Sequence, residues 1–176
     1  MKRVPQRYLG AFTGRTTAND LTNYGKYDTM GCCAAAGGRG LYLLWSNAAE
    51  IRRNDVYVNM WLSSESEYID INSEIPEKGK ICIKVKKQCT LHVRIPEWLE
   101  SDKLRLKVND TICKPVVDAG RYIRIGDCRE GTSIELRFPL KTEIKTVKYC
   151  GNVYRVEWRG NCVTGIQPRG DFIPLY

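Results

Sequence analysis

Two adjacent thiols, Cys32 and Cys33, stand in the run Gly31-Cys32-Cys33-Ala34-Ala35-Ala36-Gly37-Gly38-Arg39-Gly40, just ahead of a helix-patterned segment. Vicinal cysteines on a small-residue turn near the positive end of a helix can sit as thiolates on a soft metal, because backbone N–H groups and the helix dipole favour negative charge there. The same pair can be two buried small hydrophobes, since free cysteine is among the most buried residue types, or oxidised partners of other cysteines. The paired C-x-x-C spacing that marks a zinc site is absent, so the pair alone leaves these alternatives open.

Other candidate groups point less far. The single histidine, His92, lies opposite the apolar Leu91-Val93-Ile95 side of its strand and reads as a rim residue with no orienting carboxylate, which argues against Ser-His-Asp chemistry. Glu65 with Glu67, and Glu97 with Glu100, sit in turn contexts and read as solvated charges rather than a glycosidase pair. Cys82, Cys89, Cys113, Cys128, Cys150 and Cys162 are scattered beside strand-like runs, and no apolar secretory segment follows the basic start Met1-Lys2-Arg3. The thiols are therefore expected reduced and mostly buried, in a cytoplasmic chain or an internal piece of a larger one.

The net charge of +8 invites a nucleic-acid reading. Lys84, Lys86 and Lys87 flank Ile83 and Val85, and Arg105 and Lys107 alternate with Leu104, Leu106 and Val108, the pattern of a solvated strand face. No basic helix or aromatic-plus-glycine RNA motif accompanies them, so no nucleic-acid partner is expected. No apolar run reaches membrane-spanning length, so no membrane partner is expected either.

The elements that must position these residues change character along the chain. Residues 1–30 have loop composition. Leu41, Leu44, Trp45, Ala48 and Ile51 recur at three- and four-residue spacing, which predicts an amphipathic helix from about Arg39 to Ile51, closed by Asn54-Asp55. Its apolar face, Leu41 to Ile51, is expected to be only partly covered and to offer a surface for association. From Asp55 the period becomes two: Val56, Val58 and Met60; Ile81, Ile83 and Val85; Leu91, Val93 and Ile95; and further runs at 104–108, 121–125, 133–138, 153–158 and 162–166. This predicts a mainly β chain, with one antiparallel β-sandwich over 55–176 preceded by a loop and one helix.

One series of residues carries a resemblance. Gly31-Cys32-Cys33, Arg39, Leu41-Tyr42 with Trp45, Val56-Tyr57-Val58-Asn59-Met60-Trp61-Leu62, Val93-Arg94-Ile95-Pro96-Glu97-Trp98, Gly120-Arg121-Tyr122-Ile123 and Phe138-Pro139-Leu140 occur in this order. From about Met30 onward the chain resembles the C-terminal part of glycoside hydrolase family 127 (GH127), the β-L-arabinofuranosidase family. The resemblance implies a helical (α/α)6 barrel followed by β-sandwich material, with 1–54 as the end of the catalytic domain and 55–176 as the sandwich. It implies a zinc ion bound by one glutamate and three cysteines, with Cys32 as nucleophile and both Cys32 and Cys33 as zinc ligands, and an arabinofuranoside-type carbohydrate as substrate.

The chain departs from that pattern in two ways. Ala36 stands where the family often has an asparagine, and about thirty residues before Cys32 are too few for barrel helices of roughly eleven residues each. The acid/base glutamate and remaining ligands would lie upstream, so the isolated chain is expected to bind zinc weakly or not at all and to be catalytically silent. Two other readings remain open: a carbohydrate-binding or structural sandwich with exposed Trp61 and Trp98 stacking on sugar rings, and a small protein with a purely structural zinc.

Overall fold

The computed structural model describes residues 31–149 and 151–168. Helix α1, Gly31–Ser46, opens with Gly31-Cys32-Cys33, carries three alanines, the strongest helix former, at 34–36, and continues through Leu41, Leu43 and Leu44. It starts eight residues before the expected position and stops five short of Ile51. The reason for the early stop is a hairpin. Strand β1, Ala49–Arg52, turns through Arg53 (φ 57°) and Asn54 into β2, Asp55–Val58, placing Ile51 opposite Val56 and Arg52 opposite Asp55. The three- and four-residue spacing of Ala48 and Ile51 continued a helical pattern by coincidence, and strand pairing overrode it.

The remaining strands are β3 Ser64–Glu65, β4 Ile69–Ser73, β5 Lys80–Val85, β6 Cys89–Arg94, β7 Arg105–Val108, β8 Thr111–Cys113, β9 Tyr122–Cys128, β10 Ser133–Arg137, β11 Thr142–Tyr149, β12 Asn152–Arg159 and β13 Cys162–Gln167. A short 3-10 turn covers Ser101–Lys103. The chain is mainly β, as its alternating pattern requires. A four-stranded sheet has the order β1-β2-β6-β9, and a six-stranded sheet the order β3-β4-β5-β10-β7-β8.

One apolar cluster joins these two sheets. Val56, Val58, Leu91, Val93 and Ile123 from the four-stranded sheet share it with Ile69, Ile81, Ile83, Leu106, Ile134 and Leu136 from the six-stranded sheet. Burying each such aliphatic side chain contributes about 1.5–3 kcal/mol, and a one-residue slip of any strand would turn its apolar set outward. This core lies in a compact unit made of residues 45–142 and 159–162.

Two features of the expected sandwich need correcting. The β2–β6 pair is parallel, with Val56 opposite Leu91 and Val58 opposite Val93; only the other pairs of the two sheets are antiparallel. Strands β11, β12 and β13 form a three-stranded sheet of their own. Residues 143–158 and 163–168 of that sheet belong to a second compact unit, with 31–44.

Candidate functional site

Cys32 and Cys33 occupy the first turn of α1, inside the helix rather than on a turn ahead of it. Their side chains lie outside the described residues. The first-turn amides have no partner within a helix, so this backbone position favours an anionic group. A tetrahedral zinc shell takes four donors, and the pair supplies at most two. Among the described residues, no three His, Cys, Asp or Glu side chains come together as a metal site. The described residues therefore do not complete a zinc shell.

The cysteines Cys82, Cys89, Cys113, Cys128 and Cys162 are free thiols, with Cys89 and Cys128 buried and the others half-buried. Burial, then the neighbouring Cys128 and Asp55, pushes the Cys89 thiol up to about 11. Burial also raises the Cys128 thiol. Both stay protonated at neutral pH, which makes them poor nucleophiles.

His92 does have a carboxylate partner, contrary to its sequence reading. Its Nε2 lies 3.0 Å from Oδ1 of Asp55, and the Tyr57 ring stacks on the imidazole at 4.4 Å. The parallel β2–β6 pairing brings these residues together, because it sets Tyr57 opposite His92. The outer face of the four-stranded sheet continues this polar aromatic surface. Tyr122 meets Tyr57 edge-on at 5.7 Å and donates its hydroxyl to Oδ1 of Asn59 at 2.7 Å. The Arg52 guanidinium lies 4.9 Å from the Tyr57 ring centre and pairs with Glu50 through two hydrogen bonds of 2.7 and 2.9 Å. That pairing raises the Arg52 pKa and lowers that of Glu50. Among the described residues, no serine, threonine or cysteine hydrogen-bonds His92, so the dyad has no nucleophile to activate.

The exposed tryptophan platforms that the carbohydrate-binding alternative requires are not found. Trp61 is only 8% exposed, with its ring 4.6 Å from Phe138 and 6.5 Å, edge-on, from Trp98, which is half-buried against the core. Neither indole N–H has an acceptor among the described residues. Even so, both rings line a cleft of about 630 Å³ together with Asn59, Arg94, Glu97 and Asn161. The loop carrying Glu97 and Trp98 is held from one side by Arg121. Arg121 adopts φ 62°, donates Nε to Ile95 O at 3.0 Å, and donates Nη2 to Pro96 O at 2.7 Å and to Leu99 O at 3.0 Å.

A turn holds the loop from the other side. Gly160 (φ 59°) brings its backbone against Trp98, where a Cβ would lie 3.2 Å from Cζ2. The carboxylates read as solvated behave so: Glu67 pairs with Lys87, and Glu100 pairs with Lys103 at 2.8 Å, on the surface.

A β-sandwich built on one shared core, preceded by a helix bearing vicinal cysteines, is the frame in which the comparisons fall. Residues 55–140 match the family profile described as "Beta-L-arabinofuranosidase, GH127 middle domain". This segment is similar to the middle domain of that family, and the match takes in just under half of the chain. Among curated proteins, none matches.

Solved structures share the fold. A GH127 β-L-arabinofuranosidase from Geobacillus stearothermophilus T6 is 20% identical, with a TM-score of 0.58 over 78% of this chain and 24% of its own. A structure described as a glycoside hydrolase is 19% identical, with a TM-score of 0.59 over 79% of this chain and 26% of its own. A GH127 β-arabinofuranosidase is 20% identical, with a TM-score of 0.60 over 78% and 26%. The chain thus spans about a quarter of the length of the solved structures it matches.

Proposed function

We propose that this chain is the C-terminal segment of a retaining glycoside hydrolase acting on arabinofuranoside-type sugars, with 1–54 the end of its catalytic domain and the β-rich remainder following it. The observation that supports this best is the GH127 middle-domain match over 55–140, preceded at a short distance by Gly31-Cys32-Cys33 at the start of a helix. In this reading the Cys32 thiolate attacks the anomeric carbon while a carboxylic acid protonates the leaving oxygen. Water, deprotonated by the same carboxylate, then displaces the sulfur. Two inversions give net retention. Cys33, one residue on in the same helical turn, serves as the companion thiolate. A zinc ion in the whole enzyme would hold the thiols deprotonated and would require two donors beyond this pair.

The isolated chain is proposed to be inactive, because the described residues complete neither the metal shell nor a proton donor for Cys32. The test is turnover of an aryl arabinofuranoside together with zinc content. The 176-residue chain is expected to show no turnover and substoichiometric zinc, whereas a longer enzyme containing this segment is expected to show both properties, with Cys32→Ala abolishing turnover and Cys33→Ala lowering metal content. Stoichiometric zinc with turnover by these 176 residues alone would refute the reading.

A further inference from the structure

We propose that Cys89 and Cys128 are the two halves of a disulfide that staples β6 to β9 when the chain folds under oxidising conditions. The two residues are direct partners across the antiparallel β6–β9 pair. Residues set opposite in such a pair have Cα atoms about 4.5–5.5 Å apart, inside the roughly 4.4–6.8 Å that a disulfide spans. Both side chains are buried in the core that the two sheets share, so both leave the pair on the same face. Among the described residues, no other two cysteines are strand partners.

Uninterrupted alternation would not give this register. Leu91 pairs with Ile125, and continuing that ladder would set Cys89 opposite Asp127. Instead β9 takes up one extra residue, with Asp127 at φ 48°, so Gly126 and Asp127 are exposed and Cys128 turns inward. A bulge re-aims the side chains beside it, and here it sets a second thiol against Cys89 where a carboxylate would otherwise be buried. The site is anchored on both sides. Gln88 donates Nε2 to Oδ1 of Asp127 at 3.1 Å, and Thr90 donates its N–H to Asn54 O at 2.9 Å.

In the reduced chain the Cys128 thiol donates to Ile125 O at 3.4 Å. A thiol is a weak donor, so turning it off its own strand costs little. Burial raises both thiols, to about 11 for Cys89, so neither attacks an outside reagent readily from within the folded core. The bond therefore forms as the chain folds, before the core closes. With a small disulfide such as oxidised glutathione as oxidant, one cysteine displaces one glutathione thiol to give a mixed disulfide. The second cysteine then attacks the protein sulfur of that bond and releases the other glutathione thiol. Two protein thiols lose two protons and two electrons, and one glutathione disulfide becomes two thiols.

The experiment unfolds the full chain with reductant and refolds it either in reduced glutathione alone or in a mixture of reduced and oxidised glutathione. Remaining thiols are then alkylated. Cleavage after Lys87, Arg94, Arg124 and Arg129 places the two cysteines on peptides 88–94 and 125–129, neither with a second cysteine, and mass spectrometry without reduction reads their linkage. The oxidised arm is expected to give these two peptides joined as its main linkage. It is expected to melt about 5–15 °C above the reduced arm, the effect of closing a loop of about forty residues. The already folded, reduced chain in the same mixture is expected to form the bond at least about tenfold more slowly. Cys89→Ala should erase the difference in melting between the two arms whatever its own stability, while Cys32→Ala should leave it in place, so a failure of the catalytic reading does not touch this one. Cys89 and Cys128 left unlinked or joined mainly to other cysteines, an oxidised chain that melts no higher than the reduced one, or equally fast bond formation in the folded chain would each overturn the proposal.

Discussion

Arg121 offers the sharpest test of how the cleft loop is held. Its side chain donates three hydrogen bonds to the carbonyls of Ile95, Pro96 and Leu99, while its backbone carbonyl accepts the Ile95 N–H at 2.7 Å and survives any substitution. At a net value of about 1 kcal/mol per bond, Arg121→Ala should cost about 3 kcal/mol, less whatever water returns to carbonyls at a half-buried site. A floor of about 1.5 kcal/mol follows if half of that loss is recovered.

The φ of 62° adds a second, separable contribution. Alanine keeps the left-handed strain and glycine relieves it, so Arg121→Gly should be more stable than Arg121→Ala by about 1 kcal/mol even though both lose the same three bonds. Lysine presents a single ammonium in place of the planar fork, so Arg121→Lys should recover only about a third of the loss. Urea unfolding followed by far-UV circular dichroism reads all three variants, provided the m-value stays constant. A loss below about 1 kcal/mol for Arg121→Ala, or full recovery by lysine, would refute the three-carbonyl account.

Three further outcomes follow from the core and its turns. Leu136→Ala, at a fully buried position between β5 and β7, should destabilise by about 2–5 kcal/mol in the same urea experiment. Gly79→Ala would set a Cβ 1.8 Å from the Phe138 carbonyl oxygen, a contact only backbone movement relieves, so the hydrogen bond from Phe138 N to Gly79 O should break and the loss should exceed about 2 kcal/mol. The Cys89 thiol is raised in the folded state from 9.0 to about 11, so the unfolded chain releases that proton first. Its contribution to stability should hold below pH 9.0 and drain away as the pH rises toward 11, and the part of the alkaline loss that disappears in Cys89→Ala measures it.

What the sequence reveals and conceals follows from the range of its patterns. Alternation is a local rule, and it located the buried faces of β2, β5 and β6 because each strand sees the core through every second residue. It says nothing about which strands become neighbours. The His92–Asp55 contact bridges 37 residues and exists only because β2 and β6 run parallel side by side, so no reading of either strand alone could have produced it. Strand parity also fails beyond a strand's end. Trp61 falls on the outward parity of Val56, Val58 and Met60, but β2 ends at Val58, and past that point the chain is free to turn the indole onto Phe138. Trp98 lies beyond the end of β6 at Arg94 in the same way. Both tryptophans that line the cleft, and Arg121 with its positive φ, therefore belong to connections rather than strands, where tertiary contacts set side-chain direction. The vicinal cysteines were legible for the opposite reason. Adjacency in sequence is already adjacency in space, and a pair of soft donors at the start of a helix needs no topology to be noticed, only further donors to become a site.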